Sequence, residues 1–389
     1  MAEGRTRPAW VEVDLAALAH NVAVLGRRAA PAALCAVVKA DAYGHGAVQV
    51  ARAALASGAA GLAVAVVDEG LELREHGIGA PVLVLSEAVP GAAEMLVRAG
   101  LTATVATRSG MEALAAAARR VGTRAGVHVK VDTGMHRIGV APENAAALMA
   151  AAEADPALRV EAVWTHLAVA DGATGEERAF TALQLERFDK VVAGLGARPR
   201  LLHAANTAGA VAWPAARYDM VRCGIGMYGY APSPAMADGA AGEDVASAVA
   251  AFRPVLSLKA RVSAVRELDA GERPSYGRRR ALPERGVVAT VPVGYADGVP
   301  RRLFDTGCPV LVGGRRRPLA GVVTMDQLMV DCGPGSTVAP GDEVVLIGRQ
   351  GAEEITAAGW AELLGTISYE VLCDIGCRVP RVYTGAASR

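Results

Sequence analysis

From Trp10 to about Gly229 the chain alternates short apolar runs with amphipathic stretches, and eight such runs can be counted. They are LCAVV ahead of Lys39, GLAVAVV from Gly61, PVLVL from Pro81, LTATV from Leu101, VHVKV from Val127, VEAVW from Val160, RLLHA from Arg200 and YDMVR from Tyr218. The runs have the length and composition of strands, and the stretches between them carry helical periodicity. Leu15, Leu18, Val22 and Leu25 recur on one helical face behind Asp14, a candidate N-cap, and Met111–Val121 and Glu176–Leu195 are further helices. Eight βα units predict a (β/α)8 TIM barrel, because a doubly wound open sheet rarely needs so many regular repeats.

After about Ala231 the texture changes. PSPAMADGAAGEDVASAV, from Pro232 to Val249, reads as a loop or linker, and Leu256–Ala264 then alternates apolar and polar residues like a half-buried strand. VVATVPV, PVLVGG, LAGVVTM and VVLIG follow between Gly and Pro turns, with a short helix near Ala357–Leu364. The expected organisation is a barrel over residues 11–240 and a mainly β domain over 241–389, with segment 1–10 packed on the second domain.

Composition excludes several classes of function. Lys+Arg and Asp+Glu balance at 40 each over 389 residues, so no net field draws the chain to nucleic acid or an anionic membrane. Arg278–Arg280 and Arg315–Arg317 read as exposed loops. No signal-like segment opens the chain and no run approaches the ~18 apolar residues of a membrane span, so a cytoplasmic location is expected. The six cysteines read as buried thiols, and the seven histidines form no HExxH or Cys/His grid, so no metal is expected.

In a barrel of this kind the strand ends and βα loops at the C-terminal face carry the chemistry. Lys39 ends the first strand, Asp132–Arg137 (DTGMHR) follows the fifth and His166 the sixth. Asn206 and Thr207 follow the seventh, while Arg222, Gly224 and Gly226 close the eighth. A lysine there has two uses beyond charge: Schiff-base formation with a carbonyl, and proton transfer once desolvation lowers its pKa. The loops after strands seven and eight of such barrels often bind phosphate, and NTAG and RCGIG supply the small residues that let backbone approach an anion. A lysine and a phosphate loop together point to a phosphorylated aldehyde, of which pyridoxal phosphate is the common one.

AVVKADAYGHG, KVDTGMHRIG, WTHLAVAD, HAANTAG, VRCGIGMYG, SYG, VGYADG, TMDQ and SYEVL occur in this order along nearly the whole chain. In these motifs the sequence resembles the alanine racemase family of fold type III pyridoxal-phosphate enzymes. The resemblance implies racemisation of L-alanine to D-alanine by two bases, Lys39 and the Tyr276 of a second chain, in a homodimer with shared active sites. It implies that Lys39 holds the cofactor and that Tyr43, Thr207, Gly224, Ile225 and Tyr369 bind its phosphate, with Asn206 also on the cofactor. Arg222 would face the pyridine nitrogen and His166 would relay between Arg222 and Tyr276. An arginine there does not readily give up a proton, so the ring remains a poorer electron sink and the Cα carbanion is reprotonated sooner. Arg137 would place the substrate carboxylate, Met325 and Tyr295 would shape the pocket, Asp326 would anchor its loop, and Lys130 would be a candidate for carbamylation.

Two positions depart from the family pattern: HAANT has threonine where serine is common, and TMDQ has threonine before the methionine where cysteine or serine is frequent. Neither removes a catalytic group. A broader amino-acid racemase is the nearest alternative. A non-catalytic pyridoxal-phosphate binder would leave Tyr276, Tyr295 and Met325 unexplained, and a decarboxylase of the same fold type should carry a carboxylate in place of Arg222.

Overall fold

After a first strand, β1 (Ala9–Asp14), each of the eight apolar runs forms a strand: β2 (Ala33–Val37), β3 (Gly61–Val64), β4 (Val82–Glu87), β5 (Thr102–Val105), β6 (Ala125–Lys130), β7 (Leu158–Trp164), β8 (Leu201–His203) and β9 (Met220–Cys223). The computed structural model describes residues 7–385 and divides them into two units, one of Leu18–Ala42 with Gly46–Arg253, the other of the residues up to Ala17 with Tyr43–His45 and everything from Pro254. In the first unit the eight strands β2–β9 lie parallel in the order β8-β7-β6-β5-β4-β3-β2-β9 with helices between them, the expected TIM barrel.

Helix starts follow from side-chain caps. Thr107 accepts the Gly110 N–H ahead of Arg108–Val121, and Thr174 and Glu177 form a reciprocal capping box at the head of Gly175–Ala193. Asp14 caps the helix Leu15–Ala29 as expected, accepting from Ala16 N and Ala17 N at 2.9 and 3.0 Å.

Barrel closure between β8 and β9 is made by individual bonds. Asp219 N donates to Leu202 O at 3.0 Å, Leu202 N donates back to the Asp219 carboxylate at 2.7 Å, and Arg222 N donates to Ala205 O at 3.0 Å. The same carboxylate takes Arg198 at 2.8 Å. One side chain therefore replaces part of a ladder.

The second unit is mainly β, as expected. It contains β10 (Leu256–Arg261), β11 (Ala264–Leu268), β12 (Gly286–Val291), β13 (Val310–Val312), β14 (Arg315–Arg317), β15 (Leu328–Gly333), β16 (Glu343–Gln350), β17 (Glu353–Ile355) and β18 (Arg381–Thr384). One sheet runs β14-β13-β16-β10-β1-β18, with β17 on β16, and a smaller one runs β11-β12-β15. The helix Ala357–Leu364 has the expected bounds.

Several local readings change. Leu256–Ala264 is two strands, because the chain leaves one sheet at Val262, bonded to Asp342 O, and enters the other at Ser263, bonded to Thr290 O. LAGVVTM is no strand: Leu319 makes a single bridge to Val330, and the following apolar residues are buried in irregular backbone. Arg315–Arg317 pairs with β13 in a hairpin. The stretch read as a linker holds helices at Pro234–Ala237 and Glu243–Ala250, because its alanines and valines pack rather than span. Of segment 1–10, residues 1–6 lie outside the described residues, and β1, which opens at Ala9, pairs with β10 and β18. Cys35, Cys223, Cys308 and Cys332 are buried, whereas Cys373 and Cys377 are exposed beside a short helix end. No helix among the described residues is long and apolar enough to cross a membrane.

Replacing Asp219 by Ala should destabilise the barrel by about 1–3 kcal/mol, since Leu202 N loses its acceptor. Urea unfolding followed by circular dichroism checks this, and Asp219→Asn, which keeps an acceptor, should lose less.

Candidate active site

The barrel strand β2 ends at Val37, and Lys39 opens a turn, Lys39–Gly44, whose hand is reversed: φ lies between +50° and +54° at Ala40–Tyr43 and is +78° at Gly44. Left-handed backbone costs roughly 1–2 kcal/mol per non-glycine residue, so four in succession need support. Ala40 N donates to the Glu69 carboxylate at 2.6 Å, Ala42 N to Val38 O at 2.9 Å, and Asp41 accepts from Gly46 N at its carbonyl and from Ala47 N at its carboxylate. Tyr43–His45 belong to the β unit. There Gly44 O accepts both Nε and Nη2 of Arg381 at 3.0 and 2.9 Å, and a Cβ on Gly44 would collide with Leu372 O. The Tyr43 and Tyr369 rings meet at 6.0 Å.

Arg222, on β9, is buried, and no ion pair to a carboxylate meets it among the described residues. Its guanidinium is held by neutral acceptors: Nη1 at 2.6 Å from His203 Nδ1, and Nη2 at 3.0 Å from Thr165 O, 3.0 Å from Ala204 O and 3.2 Å from His166 Nδ1. Trp164 lies under it, 4.5 Å away, in cation–π geometry. Burial lowers the guanidinium to about 10, which leaves it charged at neutral pH, and burial pushes the neighbouring thiols of Cys35 and Cys223 up to about 12.

Because an arginine can only donate, both histidines must accept at Nδ1 and carry their protons on Nε2. His203 Nε2 then donates to His128 Nδ1 at 3.0 Å, which places the His128 proton on Nε2, 3.8 Å from the Glu161 carboxylate. A polar chain of one direction crosses the barrel interior. Burial, followed by the charge on Arg222, holds His203 well below the usual histidine range, so it is neutral.

Three more cations share the mouth. Burial and then Arg222, Arg137, Lys130 and Lys39 depress His166 well below its ordinary value. Lys130 is buried with its Nζ 4.4 Å over the Trp164 ring, and burial, reinforced by Arg137, Arg222 and Lys39, lowers it to about 8. Asp132 is engaged in shaping DTGMHR, accepting from Gly134 N and His136 N at 3.0 Å. Gln184 holds the His166 backbone, donating to His166 O at 3.1 Å and accepting from Ala168 N at 2.9 Å.

Of the two phosphate-loop candidates, Thr207 Oγ1 accepts Gly224 N at 3.0 Å and so ties one loop to the other. A Cβ on Gly226 would stand 2.7 Å from the Thr207 methyl, so glycine keeps the loops close. Ile225 is buried at the head of a single turn, Ile225–Tyr228. Asn206 uses its side-chain oxygen to cap the next helix at Gly209 N, 2.9 Å away.

In the β unit Tyr276 sits on a strained turn, with φ +72° at Ser275, +72° at Gly277 and +45° at Arg278, and Ser275 Oγ donates to Val322 O at 2.7 Å. Tyr295 N donates to Thr324 O and Ala296 N to Met325 O, both at 3.0 Å, which joins the two pocket candidates. Tyr276, Tyr295 and Met325 are 74%, 43% and 52% exposed. Asp326 pairs with Arg378 at 2.7 Å, Arg378 reaches the buried Asp297 at 3.5 Å, and Arg7 closes on Asp297 at 2.5 Å.

The family model for the alanine racemase N-terminal domain matches residues 13–232, and that for the C-terminal domain matches residues 255–383. The chain belongs to the alanine racemase family. An alanine racemase of Symbiobacterium thermophilum is 48% identical over 97% of this chain and 98% of its own length. The crystal structure of alanine racemase from D-cycloserine-producing Streptomyces lavendulae has a TM-score of 0.89 at 37% identity, covering 99% of each chain. That of alanine racemase from Bacillus anthracis with bound L-Ala-P has a TM-score of 0.88 at 35% identity, covering 98% of this chain and 96% of its own.

Within this alanine racemase family chain the structure brings Lys39, Lys130, Arg137, His166 and Arg222 into one electrostatic group, Thr207 with Gly224, Tyr43 with Tyr369, and Tyr295 with Met325. Sequence reasoning passed over His203, His128, Glu161 and Gln184. VHVKV and RLLHA each contain their histidine in plain view, but an alternating strand pattern does not tell which of two strands will face each other across a barrel.

Lys130 gives a pH-dependent signature. Its folded pKa of about 8 lies below the unfolded value of 10.5. Below pH 8 both states are charged and the folded chain bears the full penalty; above 10.5 neither is charged. Lys130→Met should therefore stabilise the chain at pH 7, by on the order of 1–3 kcal/mol, in CO2-free buffer that keeps the amine unmodified. The gain over the unsubstituted protein should shrink as pH rises from 8 to 10.5, measured by urea unfolding at each pH.

Proposed function

We propose that this chain interconverts L- and D-alanine in the cytoplasm, with pyridoxal phosphate attached to Lys39 and with Tyr276 supplied by a second copy of the chain. The observation that carries the reading is Arg222, a buried cation at the barrel mouth satisfied by neutral acceptors, where a decarboxylase should carry an acid. The residues fit the cofactor. Lys39 stands among other cations, Thr207, Gly224 and Ile225 form a close-packed cradle for phosphate, and the family resemblance assigns Tyr43 and Tyr369 to the same phosphate. The domain over 11–240 carries Lys39 and the two phosphate loops, and the domain over 241–389 carries Tyr369 and the partner-facing residues.

When bound, the cofactor ring withdraws electrons from the substrate Cα and so acidifies its proton. Lys39 moves that proton on one face and Tyr276 on the other, because a single base returns the proton to the face it left. Tyrosine is a poor base at its ordinary pKa of about 10. His166 addresses this: with Nδ1 occupied by Arg222, its Nε2 is an N–H donor for the Tyr276 phenolate, and the cations around His166 stabilise the same negative charge. Arg137 places the substrate carboxylate, aided by a carbamate on Lys130. A Lys130 of pKa about 8 is neutral in roughly a tenth of molecules at pH 7, and the neutral amine is the form that attacks CO2. Tyr295 and Met325 limit the side chain to a methyl group, and Asp326 anchors their loop through Arg378.

The exposure of Tyr276, Tyr295 and Met325 supports the dimer, since a catalytic tyrosine open to water needs a second chain to cover it. Lys39→Ala and Tyr276→Phe should each be nearly inactive. Refolded together in equal amounts, they should form about half mixed dimers, each with one whole site, and so restore about a quarter of the unsubstituted activity. Chiral analysis of alanine turnover reads this. Activity no higher than the sum of the separate variants, with mixed dimers confirmed by native mass spectrometry, would show that each site is built from one chain.

A further inference from the structure

The polar chain that starts at Arg222 does not end inside the protein. Glu161, its last member, borders a cavity of about 530 Å3 at the N-terminal end of the barrel, the end opposite the strand termini that carry Lys39 and Arg222. Arg74, Arg159 and Arg200 also line it. We propose that this cavity is a second binding site, for a small divalent oxyanion taken between Arg159 and Arg200, and that its occupancy is transmitted to Arg222 through Glu161, His128 and His203.

Charge is the first argument. Three arginines against one glutamate, with His128 held neutral chiefly by burial, leave two uncompensated positive charges on the lining. Arg74 is committed to the fold, donating to the carbonyls of Ile78, Ala80, Ala99 and Gly100. Arg159 pairs only with Glu161, at 2.6 Å, and Arg200 has no hydrogen-bond or ion-pair partner among the described residues. Arg200 therefore offers one open guanidinium fork and Arg159 a second once it turns from Glu161, which together can grip an anion with two charged oxygens or carboxylates.

Construction is the second. The β6–β7 register shifts between Val127 and His128, which pair with Val160 and Ala162, so Glu161 is the extra residue of a bulge. A bulge re-aims a side chain, and here it turns Glu161 over Gly126, where a Cβ would stand 3.2 Å from its carboxylate. Because Ala162 pairs with Leu201, the residues before them, Glu161 and Arg200, are neighbours across β7 and β8.

The coupling follows from competition. An anion on Arg159 draws that guanidinium away from Glu161, whose carboxylate is then left with the neutral His128 Nε2–H as its nearest remaining donor. Glu161 then draws the His128 Nε2–H in from its present 3.8 Å, His128 Nδ1 becomes a better acceptor for His203, and His203 Nδ1 draws more firmly on Arg222. This does not rest on the racemase reading, since binding and ring signals can be read without turnover.

The test titrates the purified protein calorimetrically with sulfate and with succinate at constant ionic strength, and follows the histidine ring nitrogens by 15N NMR. At least one anion should bind saturably, once per chain, and which one binds distinguishes a compact tetrahedral ligand from a dicarboxylate. Arg200→Ala, an exposed position, should weaken binding at least tenfold. Glu161→Gln should bind no more weakly than the unsubstituted protein, because it releases Arg159. Saturation should shift the His128 and His203 signals in the unsubstituted protein but not in Glu161→Gln. Equal binding by Arg200→Ala would place the anion elsewhere, and no saturable binding of either anion would remove the site. Binding without a shift of the two rings would overturn the coupling, and with it the proposal.

Discussion

A positive charge taken into a protein interior without an acid beside it must be solvated by whatever neutral groups the fold can turn toward it. Arg222 imposes that condition on three strands at once. The carbonyls of Thr165 and Ala204 face inward because its Nη2 needs them, and the rings of His166 and His203 are fixed in one tautomer because it can only donate. Thr133 and Gln184 in turn hold the residues that hold Arg222: Thr133 Oγ1 lies 2.8 Å from Thr165 Oγ1, and Gln184 bonds both Thr133 and His166. An aspartate in place of these acceptors would neutralise the charge and unfasten the arrangement together.

The mouth as a whole is electrostatically unfavourable when empty of anions. Lys39, Lys130, Arg137 and Arg222 repel one another, and the depression of Lys130 and His166 is the local record of that repulsion added to burial. Any ligand carrying phosphate or carboxylate relieves it, so affinity for such ligands comes partly from the protein's own strain. The reversed turn after Lys39 and the strained turn under Tyr276 belong to the same pattern, in which unfavourable local terms collect where chemistry is expected.

The barrel was legible because its strands are short, mainly apolar runs that recur eight times between helical stretches, and no competing pattern gives eight of them. The β unit was less so. β14 is three arginines, β18 mixes Arg, Val, Tyr and Thr, and β1 precedes the barrel in sequence although it pairs with strands from the far end of the chain. Their strand character comes from neighbours rather than from composition. LAGVVTM shows the converse, an apolar run whose backbone is irregular because its residues pack around the Pro274–Ser275 turn, where a Cβ on Gly321 would collide. In the site, Lys39, Arg222 and His166 could be singled out at strand ends, whereas Glu161 owes its position to a one-residue bulge that no spacing rule displays.

Gly44 and Arg381 stand 337 residues apart, yet the two bonds between them tie Tyr43–His45 to the part of the same unit that runs on from Pro254. On a ribosome, where domains tend to fold as they emerge, the strands of the barrel are complete long before Arg381 is made. The segment that follows Lys39 therefore waits for a residue more than three hundred positions downstream before it can be fastened. A nascent or truncated chain can own the lysine, the arginine and the histidines and still lack a finished first loop, so the most reactive part of the protein is assembled only once Arg381 is available.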